Sequence, residues 1–329
     1  MALPKKLIST LALTAAFVAP SVWAQDYPVR PVRIVATFTP GGAADATARL
    51  FAEKLAVIWK QPVYVENRIG GGGAVGAEMV FRAQPDGYTL LLATNTHVIN
   101  HALLKNLPFD YTKDFTPIAL VTSTATMLAV TPSVKPSNLK ELTEMFKAAP
   151  GKYQYSACNM ASPQHFAMEM YKNMLGLNAQ NIPYKGCAPA VMDALGGQIN
   201  IVMASVTAMS SQVKQGTLKP IAVMSSKRSP TLPDVPTAAE SGIVELKNFS
   251  LDNYYGLMAP PGTPIAIQKK LEADVLAVAR TFTNPDMKSR MEASGLEPFV
   301  MNSVDMMKLI RSDAERLTAA AKAANIQPE

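Results

Sequence analysis

Apolar positions along the chain switch repeatedly between short continuous runs and a three-to-four spacing, and that switching outlines its elements. Residues 32–38 form a strand-like run, followed by a helical pattern over about 42–59. A strand-like segment at 63–66, a helix around 75–83 and a strand-like segment at 88–93 come next. In the first helix Ala44, Ala48, Phe51, Leu55 and Ile58 recur at steps of four, three, four and three, which predicts one face against a sheet. Thr39 is placed to cap that helix and Pro40 to occupy its first turn, where a missing N–H costs nothing. Strands alternating with helices predict a parallel α/β architecture.

The alternation resumes from Met127 through strand-like 153–156, a helix around 165–174, and strand-like 199–203 and 218–224. Two uninterrupted apolar segments, 116–130 and 254–259, join this region to its flanks without the Gly-Pro linker of independent domains. The pattern therefore predicts domain 2, residues 127–251, inserted between two parts of domain 1, residues 25–126 and 252–329. Residues 264–324 read as helices that pack back on domain 1.

The first 24 residues follow a different rule. Lys5 and Lys6 precede an apolar stretch over 7–18, and Val22-Trp23-Ala24 satisfies the small-residue requirement of a processing site. That is the layout of a cleavable secretory signal peptide, with cleavage after Ala24 and an expected location in the periplasm. Gln25, where a lipid anchor would need cysteine, predicts an untethered mature chain. No segment reaches the roughly 20 apolar residues of a membrane-spanning helix. At 48% hydrophobic and 17% charged residues, the chain is of the globular class. Without Lys5 and Lys6 it carries 29 basic against 25 acidic residues, a net charge of +4 and a weak bias toward anionic ligands. It has no basic run and no interleaving of aromatic residues with arginine, so nothing points to nucleic acid.

Cys158 and Cys187, the two cysteines, form an even pair in an exported chain, where disulfides persist. A bond between them is the expectation, and two free buried thiols are the alternative. Two cysteines and three scattered histidines, His97, His101 and His165, lack the spacing of a metal site, and no cofactor is implied.

The motif with most chemical content is Phe38-Thr39-Pro40-Gly41-Gly42-Ala43-Ala44-Asp45, a glycine turn from strand into helix. Such a turn offers unpaired N–H groups and the positive end of a helix dipole to a carboxylate or phosphate; alternatively the glycines serve only a tight turn. It is neither a Walker loop nor a dinucleotide fingerprint. Gly70 to Gly73 also lacks the lysine and hydroxyl of a nucleotide loop and reads as a flexible loop feeding a helix. In the second region, residues 156–165 and 184–190 are further strand-to-helix turns. A disulfide would set these two side by side.

The runs Pro31-Val32-Arg33-Ile34-Val35, Phe38-Thr39-Pro40-Gly41-Gly42, Val65-Glu66-Asn67-Arg68, Gln84-Pro85-Asp86-Gly87-Tyr88-Thr89-Leu90, Lys113-Asp114-Phe115, Pro183-Tyr184-Lys185-Gly186 and Leu232-Pro233-Asp234-Val235-Pro236-Thr237 resemble the Bug family. These are the solute-binding proteins of tripartite tricarboxylate transporters. The resemblance covers essentially the whole mature chain. It implies a two-domain Venus-flytrap of the periplasmic-binding-protein type, working as a monomer, that closes on a small organic carboxylate and delivers it to membrane permease subunits.

Carried across, it places Phe38, Thr39, Gly41, Gly42, Ala43, Ala44, Thr94 and Asn95 on the domain 1 side of the ligand. Asn159, Met160, Ala161, Ser162, His165, Gly186, Cys187, Ala188, Pro189, Ser205 and Thr207 would close from domain 2. The chain departs from the family at Asn159 and Ala161, where many members have glycine, and near Tyr254, where many have tryptophan. Ligand identity therefore does not carry over. Two other functions compete. A periplasmic sensor would use the same closure to signal to a partner. A hydrolase would use Ser162 and His165, but no Gly-x-Ser-x-Gly elbow occurs and no acid is placed to orient the imidazole.

Overall fold

The computed structural model describes residues 27–104, 106–159 and 162–323; the predicted signal peptide and its processing site lie outside them. The strands are, in chain order, β1 (Val32–Ala36), β2 (Val63–Asn67), β3 (Thr89–Thr94) and β4 (Thr116–Thr124), followed by β5 (Thr126–Val130), β6 (Gln154–Ala157), β7 (Gln180–Ile182), β8 (Ile201–Ser205) and β9 (Lys219–Val223). β10 (Asn253–Ala259) and β11 (Glu297–Asn302) complete them. The helices are α1 (Ala43–Trp59), α2 (Ala74–Phe81), α3 (Asn95–Leu103), α4 (Leu139–Ala148) and α5 (Pro163–Met174), then α6 (Cys187–Leu195), α7 (Val206–Lys214), α8 (Ile265–Arg280), α9 (Pro285–Ala293) and α10 (Ser303–Ala323).

Two sheets organise these elements. One has the order β11-β4-β10-β3-β1-β2, the other β7-β6-β8-β5-β9. The apolar segment over 116–130 is two strands, and only Ala125 separates β4 in the first sheet from β5 in the second. The chain returns between β9 and β10.

The purely parallel sheet expected from the alternation is replaced by two mixed ones. β1, β2 and β3 are parallel, but β10 runs antiparallel to β3 and β4, and β5 runs antiparallel to β8 and β9. β5 and β10 are the strands that enter directly from the other sheet. Without a helix crossing back over their own sheet, nothing forces them parallel.

The apolar face of α1 is buried as the spacing predicts, through Ala44, Ala48, Phe51 and Leu55. Ile58 is an exception, 43% exposed, and Trp59 takes its place in the core. A spacing of 3.5 drifts off a 3.6-residue helix, so the last inward position falls one residue later. Trp59 is held there by its Nε1–H, which donates to Asp274 at 2.6 Å. Nor does Thr39 cap the helix: the N-cap is Gly42, with no side-chain hydrogen bond.

β11 corrects the all-helical reading of the C-terminal region. Its residues alternate between half-buried and exposed, the period of an edge strand, with Phe299 and Met301 turned to the core.

Gly256 lies in β10 at a register shift between β3 and β4. A Cβ there would overlap the Ala119 carbonyl oxygen in the neighbouring strand. Backbone in a sheet cannot yield as a side chain does. Gly256→Ala should therefore destabilise the protein by about 3 kcal/mol, read as a lowered urea midpoint; an unchanged midpoint would contradict this packing.

Candidate functional site

Five helices begin at one place. Their N-cap residues are Gly42 for α1, Thr94 for α3, Ser162 for α5, Gly186 for α6 and Ser205 for α7. All five line a cleft between the two sheets that encloses about 500 Å³ of empty space, counting its mouth.

The caps are of two kinds. Thr94, Ser162 and Ser205 each accept a hydrogen bond through the side-chain oxygen, from the N–H of Thr96 (3.2 Å), His165 (3.1 Å) and Ala208 (3.3 Å). With the oxygen so engaged, each hydroxyl proton remains to be donated elsewhere. Gly42 and Gly186 provide no side-chain cap, so α1 and α6 keep their first N–H groups open. These two uncapped helices come from opposite sheets, and Thr39 of the α1 turn packs directly against Gly186.

Among the described residues, no side chain lining the cleft carries a charge. What the cleft offers is helix N-termini and neutral donors, which suit an anion approached by backbone groups. Asp45, on the first turn of α1, is occupied: its carboxylate accepts from Arg49 Nε (2.9 Å), Asn67 Nδ2 (3.0 Å) and the Gly41 N–H (3.1 Å). Burial pushes this carboxyl up, but the hydrogen bonds from Arg49, Asn67 and Gly41 outweigh it and hold it below its ordinary value. Asp45 thus fixes the glycine turn.

Phe38, Thr39, Gly42, Ala43, Ala44, Thr94 and Asn95 line the cleft from the first sheet, and Asn159, Ser162, Gly186, Cys187 and Ser205 from the second. Met160 and Ala161 lie outside the described residues. Five other candidates do not line it. Gly41 sits one residue before the cap with its N–H on Asp45. Ala188 and Pro189 are exposed on the first turn of α6. Thr207 turns to the seam between the sheets, donating to the Gly295 carbonyl at 3.2 Å and meeting Thr124 Oγ1 at 3.1 Å. His165 is buried with Nε2 at 3.9 Å from Glu169, and its Nδ1 has no partner among the described residues.

Sequence reasoning passes over Thr96, Pro163, Gln164, Asn253 and Tyr255, which also face the cleft. Asn253 and Tyr255 alternate along β10, so a period-two reading of that strand would find them. Cys158 and Cys187 are disulfide-bonded, which ties the β6–α5 turn to the start of α6, and both border the cleft.

Phe38 is supported from behind by His97, whose ring stacks on it with centroids 6.1 Å apart and on Tyr111 at 4.8 Å. Nδ1 of His97 accepts from the Thr94 N–H (3.2 Å), so Nε2 carries the proton and donates to Thr37 Oγ1 (3.0 Å). Burial pushes this imidazole down to about 3. Below pH 6.5 the unfolded chain takes up a proton here that the folded chain refuses until about pH 3. Stability therefore falls as pH drops through that window, by about 2 kcal/mol between pH 7.5 and 5 from this residue. Carboxylates held low, such as Glu53 and Glu240 at about 2 each, add their own losses only at more acidic pH. His97→Gln keeps an N3 side chain suited to the Thr94 capping box. Urea unfolding should show the pH 7.5 to 5 loss shrinking by that amount in the variant; an equal loss would contradict a neutral buried His97.

Residues 47–326 match the tripartite tricarboxylate transporter family receptor. A UPF0065 protein of Bordetella pertussis is 33% identical over 323 residues, 98% of this chain and 97% of that one. Among solved structures, Rpa4515 of R. palustris with adipate has a TM-score of 0.86 at 29% identity, covering 92% of this chain and all of that one. The periplasmic binding protein BugD superposes with a TM-score of 0.84 at 34% identity and the same coverage. The fold is thus that of the two-domain periplasmic binding proteins, and the chain belongs to the tripartite tricarboxylate transporter family of receptors.

Proposed function

We propose that this protein is a periplasmic solute-binding protein that closes two lobes on a small organic carboxylate and hands it to the membrane permease subunits of a tripartite tricarboxylate-type transporter. The observation that carries the reading is the convergence of five helix N-termini, two of them uncapped, on a cleft whose described side chains are all uncharged. That arrangement holds an anion by dipoles and N–H donors. It adds no fixed cation that would make release costly. The adipate bound to the structurally similar R. palustris protein supports the same ligand class.

Among the described residues, each lobe would be built on one sheet, the first on β1 to β4 with β10 and β11 and the second on β5 to β9, with hinges at the β4–β5 and β9–β10 connections. The ligand contacts are assigned to the cleft-lining residues of the α1, α3, α5, α6 and α7 turns. Hydrolysis is disfavoured because the Ser162 oxygen accepts from the backbone N–H of His165 as a helix cap and makes no hydrogen bond to its ring.

The test is a thermal-shift screen of the processed chain against mono-, di- and aromatic carboxylates. A true ligand at a hundred times its Kd should stabilise the fold by about 2.7 kcal/mol. If no organic anion shifts the transition, the reading fails.

A further inference from the structure

Two polar side chains in the cleft lack hydrogen-bond partners. Gln164, in the first turn of α5, and Tyr255, in β10, both line it and are 5% and 6% exposed. Neither side chain makes a hydrogen bond among the described residues, and neither polar end is sealed in the core, so both stay open to the cleft. Their neighbours are engaged. Asn95 Nδ2 donates to the Asp252 carbonyl at 2.7 Å and Asn253 Nδ2 to Thr126 Oγ1 at 2.7 Å, while Thr94, Ser162 and Ser205 cap their helices. Buried polar groups are as a rule satisfied, so an amide and a phenol left open on one cleft mark a place that a bound molecule completes.

Both residues stand on fixed backbone. Tyr255 lies opposite Thr94 of β3 on one side and Thr122 of β4 on the other. Gln164 follows the Ser162 cap, whose carbonyl accepts from the Phe166 N–H at 2.8 Å. Gln164 offers an NH₂ donor and a carbonyl acceptor, and the Tyr255 hydroxyl can do either. Burial pushes that phenol up, so it keeps its proton. A methylene chain satisfies neither residue. A carboxylate takes the donors but has no hydrogen to give to Gln164 Oε1. A neutral group that both donates and accepts can satisfy the two together.

We propose that Gln164 and Tyr255 are specificity-determining residues that read a second, uncharged group on the ligand, one able both to donate and to accept, such as a hydroxyl or a primary amide. The inference rests on the cleft being a carboxylate site and goes beyond it, since helix N-termini hold a carboxylate whatever the rest of the ligand carries. The two residues belong to opposite sheets. On the proposed closure, a ligand with the neutral group would join both lobes, whereas its unsubstituted parent would leave an amide and a phenol unpaired in the closed state. Sites that bury such groups discriminate mainly by that penalty.

Isothermal titration of the processed protein tests it, with straight-chain monocarboxylates of four to six carbons, each beside its hydroxy derivatives and its terminal primary amide. The two arms separate a hydroxyl from an amide as the group read. At least one substituted acid should bind about tenfold or more tightly than its parent, and Tyr255→Phe and Gln164→Met should each cut that ratio to within about threefold. Phenylalanine keeps the ring and methionine the length, so both variants should fold, which their unliganded thermal midpoints verify. A general loosening of the cleft would weaken parent and derivative alike and leave the ratio standing. Equal affinity of parents and derivatives in the native sequence, or a ratio that survives either substitution, would overturn the pair and leave the cleft reading intact. If no acid of any series binds, the cleft reading falls and this inference with it.

Discussion

Gly186→Val should weaken ligand binding about a hundredfold while leaving the unliganded protein as stable as before. The φ of Gly186 is 161°, extended backbone that any residue adopts, so a side chain adds no local strain. What it meets is Thr39 of the opposite lobe: a Cβ on Gly186 would overlap Thr39 Oγ1 and lie 3.3 Å from Cγ2 and 3.4 Å from Cβ. On the proposed two-lobe closure, the conflict would exist only when the lobes are together, so an open protein would avoid it and closure would bear the whole cost.

Overpacking at such a contact costs about 1 to 3 kcal/mol, and each 1.4 kcal/mol is tenfold in affinity. Alanine should therefore fall near the lower end of that range and valine at the upper. Removing the opposing group gives a control. Thr39→Ala in the Gly186→Ala background should recover most of the lost affinity, because the two substitutions act on one contact and are not additive. If Gly186→Val binds as the native sequence does, the lobes do not meet at this point in the liganded state.

The turn that carries Thr39 is legible in the sequence because glycine and proline punctuate the chain locally; what it packs against is not. Gly186 also stands out as the residue before a helix, yet only the fold shows that it faces Thr39. The same limit explains the other differences. Elements with a strong period, such as β1 and α1, can be read to within a few residues. The strand β11 escapes such a reading because its six residues sit between helices and carry only a short alternation. The antiparallel setting of β5 and β10 depends on which sheet each strand joins, and no local pattern encodes that choice. Thr207 reads as a site residue because it follows Ser205 at a helix start. Its side chain instead meets Thr124 and Gly295, from segments 83 and 88 residues away in sequence.

Reduction of the Cys158–Cys187 bond should lower stability and affinity together. The bond spans 29 residues, and by the chain-entropy argument opening it frees the unfolded chain by about 3.5 kcal/mol. The folded state loses less, since Cys158 is packed among Met127, Ala129 and Val202 on one side of the second sheet. The loss of affinity follows from position. The bond joins the turn carrying Asn159 and Ser162 to the turn carrying Gly186, and both turns border the cleft. Without it, two helix N-termini that an anion must find already aligned have to be ordered by the ligand itself, and preorganisation of that kind is worth affinity. Cys158→Ser with Cys187→Ser should lower the urea midpoint by an amount matching about 3.5 kcal/mol and weaken carboxylate binding in the same protein. A fall in stability with unchanged affinity would make the bond a brace for the second lobe alone. Unchanged stability would mean that the 29-residue loop stays ordered in the unfolded ensemble without its cross-link.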